Sequence, residues 1–332
     1  MGPPWRRLQA RSSGTSSCSA SYGGPCASTA RPSRRCPAGS PEEPRMALET
    51  ALRRGPTLRR LAKVIRQPEV LFRNLRFLQS GRPSAVPCIF VLGPPRSGTT
   101  LVQNILLAHS RVTGPRHETR FFFRSNFSDH FIPDMDERDY RRLLEASSSQ
   151  VDLFERVARH YMEAEGGSHF VEKTPEHALR LRFLQERFPR SKFVFCVRDP
   201  RDGFLSSLRN PRIKLHDPRD FAETWARCAD ELAAARPASV AVLKYEELCA
   251  SPLEKIEALM AFLGVPFEEL QLRPANVAAT PVSREEGHTR LGAPIGGETV
   301  GVWRRDLGAA DRQVIEAIAG RGMATFGYGV SP

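Results

Sequence analysis

One stretch of the chain constrains its fold more than any other. Residues 86–100 read V-P-C-I-F-V-L-G-P-P-R-S-G-T-T, which is an apolar run, a loop rich in Gly and Pro, and then helix-forming sequence. A short apolar run bounded by turn residues is typical of a buried strand. Because a buried strand that leads through a tight loop into a helix is the repeating unit of parallel sheets, we expect an α/β fold.

The rest of the chain repeats this alternation of apolar runs and helical patterns. We expect buried strands at residues 86–92, 169–173, 192–197 and 239–243. We expect helices between and after them at residues 99–108, 137–164, 175–187, 201–209 and 252–263. The pattern predicts an α/β fold of the P-loop type, a parallel sheet flanked by helices on both faces. Ligands of such sheets bind at the carboxyl ends of the strands.

The loop after the first strand has the glycine spacing of a phosphate-binding P-loop, Gly93-x4-Gly98. The lysine that would reach the β and γ phosphates of a nucleoside triphosphate is replaced by Thr99. We interpret the loop as a site for one terminal phosphate, bound by unpaired N–H groups at the helix start and by nearby side chains. The candidate binding residues are Arg96, Ser97, Gly98, Thr99 and Thr100.

A second candidate anion site follows the strand at residues 192–197. Arg198 ends that strand, and Ser206 lies eight residues later on the next predicted helix. An arginine at a strand end and a serine on the following helix can converge on one phosphate. Two separated anion sites together predict a bisphosphorylated nucleotide as the ligand.

The two motifs, P-R-S-G-T-T at 95–100 and R-x7-S at 198–206, resemble the elements that bind the 5′-phosphosulfate and the 3′-phosphate in sulfotransferases. These enzymes use PAPS (3′-phosphoadenosine 5′-phosphosulfate) as sulfate donor. The segments A-H-S-R-V at 108–112 and E-T-R at 118–120 are similar to those of the branch with tyrosylprotein and many bacterial sulfotransferases. The resemblance covers residues 86–320.

The resemblance also implies roles for single residues. Glu118 of the E-T-R segment would be the catalytic base, and Lys173 of V-E-K-T-P would stabilise the transition state. Tyr245 matches a position near the nucleotide, and Arg304 or Arg305 would contact phosphate from a C-terminal loop. The spacing between Arg96 and Glu118 is one residue longer than in the tyrosylprotein enzymes, so His117 stays an alternative base. We expect the apolar run 121–123 to raise the pKa of Glu118 by desolvation.

The net positive charge of the chain comes from its first 87 residues. Residues 1–87 carry 16 of the 49 Lys and Arg residues and 4 of the 37 Asp and Glu residues, so the remainder holds 33 of each sign. This distribution predicts no nucleic-acid partner. The seven cysteines form no C-x-x-C pair, which favours reduced thiols and a cytoplasmic location.

We expect three segments in the chain. Residues 1–45 read as a disordered leader, with an organelle transit peptide or an over-extended start before Met46 as further interpretations. Residues 46–82 read as a basic helical segment that packs on the neighbouring domain or contacts a membrane surface through residues 46–80. Residues 83–332 would form the sulfotransferase domain.

The predicted reaction is transfer of the sulfuryl group of PAPS to an acceptor hydroxyl, with an amine as the less favoured acceptor. The acceptor would be a small molecule, a glycan, a lipid or a peptide, and no catalytic metal is expected. Two alternatives stay open. A P-loop nucleotide kinase or NTPase would need a lysine after Gly98 and a magnesium-binding acid, and the third interpretation is an inactive nucleotide-binding module. The sequence does not indicate whether the protein is a monomer or an oligomer.

Overall fold

The computed structural model describes Phe77 and residues 81–123, 132–210, 215–273 and 294–329. All of them belong to the unit Leu61–Pro332. The predictions for residues 1–45, and for 46–82 apart from Phe77, Gly81 and Arg82, lie outside the described residues. The leader, the membrane contact and the cytoplasmic location therefore stay predictions. None of the helices in the described ranges is both long and apolar enough to cross a membrane.

Five parallel strands form one sheet. They are β1 (Cys88–Leu92), β2 (Val112–Thr113), β3 (His169–Lys173), β4 (Lys192–Val197) and β5 (Val240–Lys244). Their order is β2-β3-β1-β4-β5, with β1 at the centre. Val91 near the end of β1 pairs with Lys173 of β3 on one side and with Val194 of β4 on the other. The loops that follow β1, β3 and β4 therefore meet at one edge of the sheet.

The described α-helices are α1 (Thr99–Leu107), α2 (Glu137–Glu145), α3 (Gln150–Glu165), α4 (Leu181–Arg187), α5 (Pro200–Leu208), α6 (Pro218–Ala233), α7 (Tyr245–Ala250), α8 (Pro252–Leu263), α9 (Trp303–Asp306) and α10 (Ala309–Thr325). Single 3₁₀ turns lie at Phe121–Phe123, Pro175–Arg180, Pro237–Ser239 and Glu269–Leu272.

Apolar side chains cover both faces of the sheet. Along β1, Phe90 and Leu92 point to one face, and Ile89 and Val91 point to the other, as the two-residue period of a strand requires. Phe90 stacks on Phe193 of β4 with ring centroids 5.3 Å apart. The two hydrophobic clusters lie beneath different helices, so the predicted α/β fold with helices on both faces is confirmed.

Several helical regions differ from the sequence prediction. The predicted helix 175–187 is a 3₁₀ helix over Pro175–Arg180 and an α-helix only over Leu181–Arg187. The predicted helix 137–164 is divided into α2 and α3, because the Ser149 hydroxyl accepts the N–H of Asp152 and begins a new helix. No element was predicted for α6 and α10, which pack against each other. Helix α10 buries only Ile315, Ala319 and Met323, so its apolar stripe is too sparse to be recognised from periodicity.

Candidate active site

Two hydrogen bonds hold the loop between β1 and α1, one to the segment after β3 and one within the loop. Gly93 N–H donates to the carbonyl of Pro175 at 3.2 Å, and the Ser97 hydroxyl donates to the carbonyl of Pro94 at 2.7 Å. The Ser97 hydroxyl thus helps to shape the loop. Helix α1 begins at Gly98 with no side-chain cap and no acidic residue in its first turn. Its first N–H groups therefore favour an anion.

The two predicted anion elements meet in one place. Arg96, in a left-handed conformation with φ of 66°, donates from Nε to the hydroxyl of Ser206 at 3.0 Å. Arg198 approaches the carbonyl of Arg96, with Nη1 at 3.5 Å. These contacts join residues more than 100 positions apart in the chain. The first loop and the Arg198–Ser206 element are therefore neighbours, and we call the place where Arg96, Arg198 and Ser206 meet the pocket.

Tyr245 closes one side of this pocket. The guanidinium of Arg198 lies over its ring at 4.5 Å from the centroid, and the ring lies against Gly98. The hydroxyl of Tyr245 bonds to the hydroxyl of Thr299 at 3.0 Å, while Nη2 of Arg198 donates to the carbonyl of Thr299 at 2.6 Å. Tyr245 thus lies beside both predicted anion elements.

Thr299 belongs to a segment, residues 299–303, that we call the C-terminal strap. Asp202 holds the strap by accepting the N–H groups of Gly301 at 2.6 Å and Trp303 at 2.9 Å. The guanidinium of Arg201 lies 3.6 Å from the centroid of the Trp303 ring. Asp199 caps α5 by accepting the N–H of Arg201, and Asp202 lies in the first turn of that helix.

Arg304 and Arg305, for which the resemblance implied a phosphate contact, lie directly after the strap. The Arg304 side chain lies over the Trp303 ring at 4.8 Å, and Arg305 pairs with Asp306. The strap instead reaches the pocket through Thr299, which the sequence analysis missed. A contact made by a backbone carbonyl leaves no signal in the residue type.

The second candidate centre lies at the end of β3, beside β1. Lys173, which is fully buried, donates from Nζ to Oε1 of Glu118 at 2.9 Å. Arg120 Nη2 lies 3.7 Å from the other oxygen of Glu118. Lys173 has three N–H donors, and Glu118 is its one hydrogen-bond partner among the described residues. Two donors are left for a ligand.

The charge of Glu118 differs from the sequence expectation. Burial by itself raises the pKa of Glu118, but the charge and the hydrogen bond of Lys173, together with the charge of Arg120, outweigh burial and hold the pKa below its usual value. The expectation of a raised pKa is therefore wrong. It considered the apolar neighbours of Glu118 and not the cation that faces it. Glu118 is ionised at neutral pH.

His117, the alternative base, is half-buried and has no hydrogen bond, ion pair or ring contact within the described part of the chain. Glu118 by contrast faces Lys173 directly. The geometry therefore favours Glu118 over His117 as the group that works with Lys173.

Comparison with known proteins decides the family. A family model described as the sulfotransferase family matches residues 87–269, more than half of the chain. The chain belongs to the sulfotransferase family. The matched region contains Arg96, Glu118, Lys173, Arg198 and Ser206, and the membership favours the sulfotransferase prediction over the nucleotide-kinase alternative.

Relatives of this sulfotransferase include enzymes from the predicted branch. Protein-tyrosine sulfotransferase 2 of Gallus gallus is 28% identical over 66% of this chain and 63% of its own length. Protein-tyrosine sulfotransferase 1 of Danio rerio is 28% identical over 73% of this chain and 72% of its own length. The chain thus spans about two thirds of the length of these relatives.

A solved structure shares the fold. The sulfotransferase domain of the Synechococcus PCC 7002 olefin synthase superposes with a TM-score of 0.57, at 18% identity, over 77% of this chain and 99% of that domain. The parallel sheet and flanking helices of this sulfotransferase therefore have the architecture of another member of the family.

Two features of the pocket bear on ligand binding. Nε of Arg198 is buried and has no hydrogen-bond partner in the described ranges, so a ligand acceptor there would satisfy it. A Cβ at Gly98, where φ is 86°, would lie 2.7 Å from the Tyr245 ring, so the cradle requires glycine. As for metals, no three His, Cys, Asp or Glu side chains of the described residues are grouped to hold an ion.

Proposed function

We propose that this protein transfers the sulfuryl group of PAPS to an acceptor hydroxyl. The observation that carries the proposal is the convergence of Arg96, Ser206 and Arg198 in one pocket, beside the Lys173–Glu118 pair. A nucleotide with a phosphate at each end of its ribose matches two cationic elements in one pocket. The strands β3, β1 and β4 bring the pair and the pocket to one edge of the sheet.

The loop and the Arg198 element have separate binding roles. The N–H groups at the start of α1, with Arg96, Thr99 and Thr100, would hold the 5′ end of the nucleotide. Arg198 and Ser206 would hold the 3′-phosphate, with Tyr245 beside them. PAPS, when bound, supplies the activated sulfuryl group and a phosphate leaving group.

Lys173 and Glu118 would carry the chemistry. The two free N–H donors of Lys173 can neutralise charge that develops on the leaving oxygen. Glu118 would take the proton of the acceptor hydroxyl on its carboxylate. The charge and the hydrogen bond of Lys173 keep the Glu118 carboxylate ionised, so that it can accept this proton.

The relatives' names suggest the first acceptor to test. Both are called protein-tyrosine sulfotransferases, so we propose a tyrosine hydroxyl in a peptide, and then small-molecule, glycan and lipid hydroxyls. The decisive assay follows ³⁵S from labelled PAPS into each acceptor, with EDTA present. Labelled product that disappears in Glu118→Gln supports the proposal. An absence of label in every acceptor class, with intact nucleotide binding, would instead support the inactive binding module.

A parallel incubation with ATP and magnesium tests the nucleotide-kinase alternative. A sulfotransferase with this pocket is expected to leave ATP unchanged, because Thr99 occupies the position of the P-loop lysine. Hydrolysis of ATP, or transfer of its phosphate, without any use of PAPS would contradict the proposed function.

A further inference from the structure

A buried carboxylate lies next to the candidate catalytic pair. Glu172 precedes Lys173 on β3, and both side chains are fully buried. A carboxylate in such a place is costly unless donors surround it. Nothing in the proposed transfer uses Glu172 directly, so a buried carboxylate at this position asks for another physical reason.

Three side chains donate hydrogen bonds to Glu172. Thr119 belongs to the segment of Glu118, whereas Thr174 and His177 belong to the segment that follows Lys173. The hydroxyls of Thr119 and Thr174 donate to Oε1 at 2.6 and 2.7 Å, and Nδ1 of His177 lies 3.0 Å from Oε2. The N–H of Phe122 donates to Nε2 of His177 at 3.3 Å. Nε2 is therefore an acceptor, which puts the proton of a neutral imidazole on Nδ1, where it is donated to Glu172.

The same two hydroxyls also hold the backbone of the E-T-R segment. Oγ1 of Thr119 accepts the N–H of Phe121 at 3.2 Å, and Oγ1 of Thr174 accepts the N–H of Arg120 at 3.0 Å. Because each hydroxyl gives its proton to Glu172, its lone pairs are turned toward these N–H groups. Arg120 adopts a left-handed conformation with φ of 50°, which a residue with a Cβ rarely takes unless its surroundings hold it.

We infer that Glu172 is a positioning residue: through Thr119 and Thr174 it fixes residues 118–122 so that the Glu118 carboxylate meets Lys173 Nζ. The inference deepens the proposed function and rests on it for the role of Glu118 as base. Thr119 is covalently next to Glu118, and Glu172 is covalently next to Lys173. One hydrogen bond between the two neighbours thus sets the relative position of base and lysine.

The charge of Glu172 adds a second effect. The charged groups that face Glu118 are Lys173, Arg120 and Glu172, and Glu172 alone among them raises the pKa of Glu118. Burial alone would raise the pKa of Glu172 itself, but the donors His177, Thr119 and Thr174 outweigh burial and keep it below the usual value. Glu172 therefore stays ionised. Its negative charge partly offsets the lowering of the Glu118 pKa by Lys173 and Arg120, so Glu118 is a stronger base than it would be without Glu172.

A matched pair of variants at Thr119 tests the positioning. Thr119→Val has the same shape but cannot donate to Glu172, whereas Thr119→Ser keeps the hydroxyl. Each is assayed for kcat, for the acceptor KM and for the affinity of adenosine 3′,5′-bisphosphate by calorimetry. We expect Thr119→Val to lower kcat about 10-fold or more with nucleotide affinity within about twofold, and Thr119→Ser to recover most of kcat.

A readout that does not depend on activity accompanies these assays. With ¹³C-labelled glutamate, the Glu118 carboxyl is titrated by NMR in wild type and in each variant. In Thr119→Val the pKa of Glu118 should rise toward its usual value, about 4.3, because the carboxylate is no longer held against Lys173. In Glu172→Gln, where an amide oxygen can still accept one hydroxyl, the loss of charge should lower kcat and move its acid limb to lower pH.

The outcomes separate the inference from the proposed function. Equal kcat and an unchanged Glu118 titration in Thr119→Val would overturn the positioning role, whatever its melting temperature. If Glu172→Gln fails to fold, the Thr119 pair still decides. If wild type transfers no sulfate to any acceptor but Thr119→Val shifts the Glu118 titration, the proposed function fails and the positioning of Glu118 by Glu172 stands.

Discussion

Lys173 Nζ donates a 2.9 Å hydrogen bond to Glu118 Oε1, and this contact joins two segments that are 55 residues apart in the chain. Lys173 is fully buried, while the side chain of Glu118 keeps 25% of its surface exposed. The carboxylate therefore has a face open to solvent, and Lys173 holds it from inside the protein. Glu118 is thus the member of the pair that a molecule arriving from solvent can approach.

The first prediction concerns the base. Glu118→Gln keeps the shape of the side chain and an oxygen for Lys173 but removes the site for the proton. We expect kcat to fall about 10²-fold or more, with the affinity for adenosine 3′,5′-bisphosphate unchanged. His117→Ala should keep near-normal turnover. The reverse result, with His117→Ala inactive and Glu118→Gln active, would move the base to His117.

The second prediction follows from the lowered pKa of Glu118. Burial raises this pKa, but Lys173 and then Arg120 outweigh burial, so the ionised base persists to lower pH than an ordinary glutamate. The acid limb of kcat/KM should therefore lie below about pH 4.3 in wild type and move upward in Arg120→Gln. In Lys173→Ala the acid limb should move to still higher pH, and kcat/KM should be much lower than in wild type. Identical acid limbs in the three proteins would rule out this electrostatic account.

The same pair makes a stability contribution with a defined sign. Because the pKa of Glu118 is lower in the folded state than in the unfolded chain, its contribution is present above the unfolded pKa and is lost as pH falls through the folded value. In denaturant titrations, the stability difference between wild type and Glu118→Gln should thus shrink toward acid pH.

The third prediction tests the cradle at Gly98. A Cβ there would meet the Tyr245 ring at 2.7 Å, whereas at Gly166, which also has positive φ, it would meet nothing within 4 Å. Gly98→Ala and Gly166→Ala each carry the cost of a left-handed alanine, about 1 kcal/mol. Calorimetry should show at least 10-fold weaker nucleotide binding in Gly98→Ala alone. Equal affinities in the two variants would mean that the ring does not define the cradle.

The fourth prediction concerns the C-terminal strap. Asp202→Ala removes the acceptor of the Gly301 and Trp303 N–H groups, so Thr299 should leave Arg198 and Tyr245. Because the buried N–H of Trp303 and the half-buried N–H of Gly301 lose their acceptor, we expect a loss of about 1–3 kcal/mol in stability and a clear loss of nucleotide affinity. Asp306→Ala, a change of an exposed ion pair just beyond the strap, is the control. Equal nucleotide affinity in Asp202→Ala and Asp306→Ala would show that the strap does not contribute to nucleotide binding.

The sequence predicted those parts of the site that are carried by residue type and spacing. The loop glycines, Arg96, Arg198 and Ser206 follow strands of a parallel sheet, so their placement at one edge could be derived before the structure was known. Lys173 at the end of β3 follows from the same reasoning. The short apolar runs separated by helical patterns likewise predicted a parallel sheet covered on both faces.

The rest depends on contacts that leave no pattern in the sequence. Thr299 reaches Arg198 through a backbone carbonyl, and Asp202 binds backbone N–H groups about 100 residues away. Whether the pKa of Glu118 is raised or lowered depends on which cation faces the carboxylate. The hydrogen bonds of Glu172 depend on the side chains that surround β3, and a periodicity of two residues says only that its side chain points to a buried face.

The central claim is that one pocket binds both ends of an adenosine bisphosphate, and the most direct measurement is calorimetry in EDTA with two nucleotides. Wild type should bind adenosine 3′,5′-bisphosphate more tightly than adenosine 5′-monophosphate. In Arg198→Ala the affinity for the bisphosphate should fall about 10- to 100-fold, as expected for the loss of a charge-assisted contact, while that for the monophosphate stays nearly constant. A bisphosphate preference that survives Arg198→Ala unchanged would contradict the account.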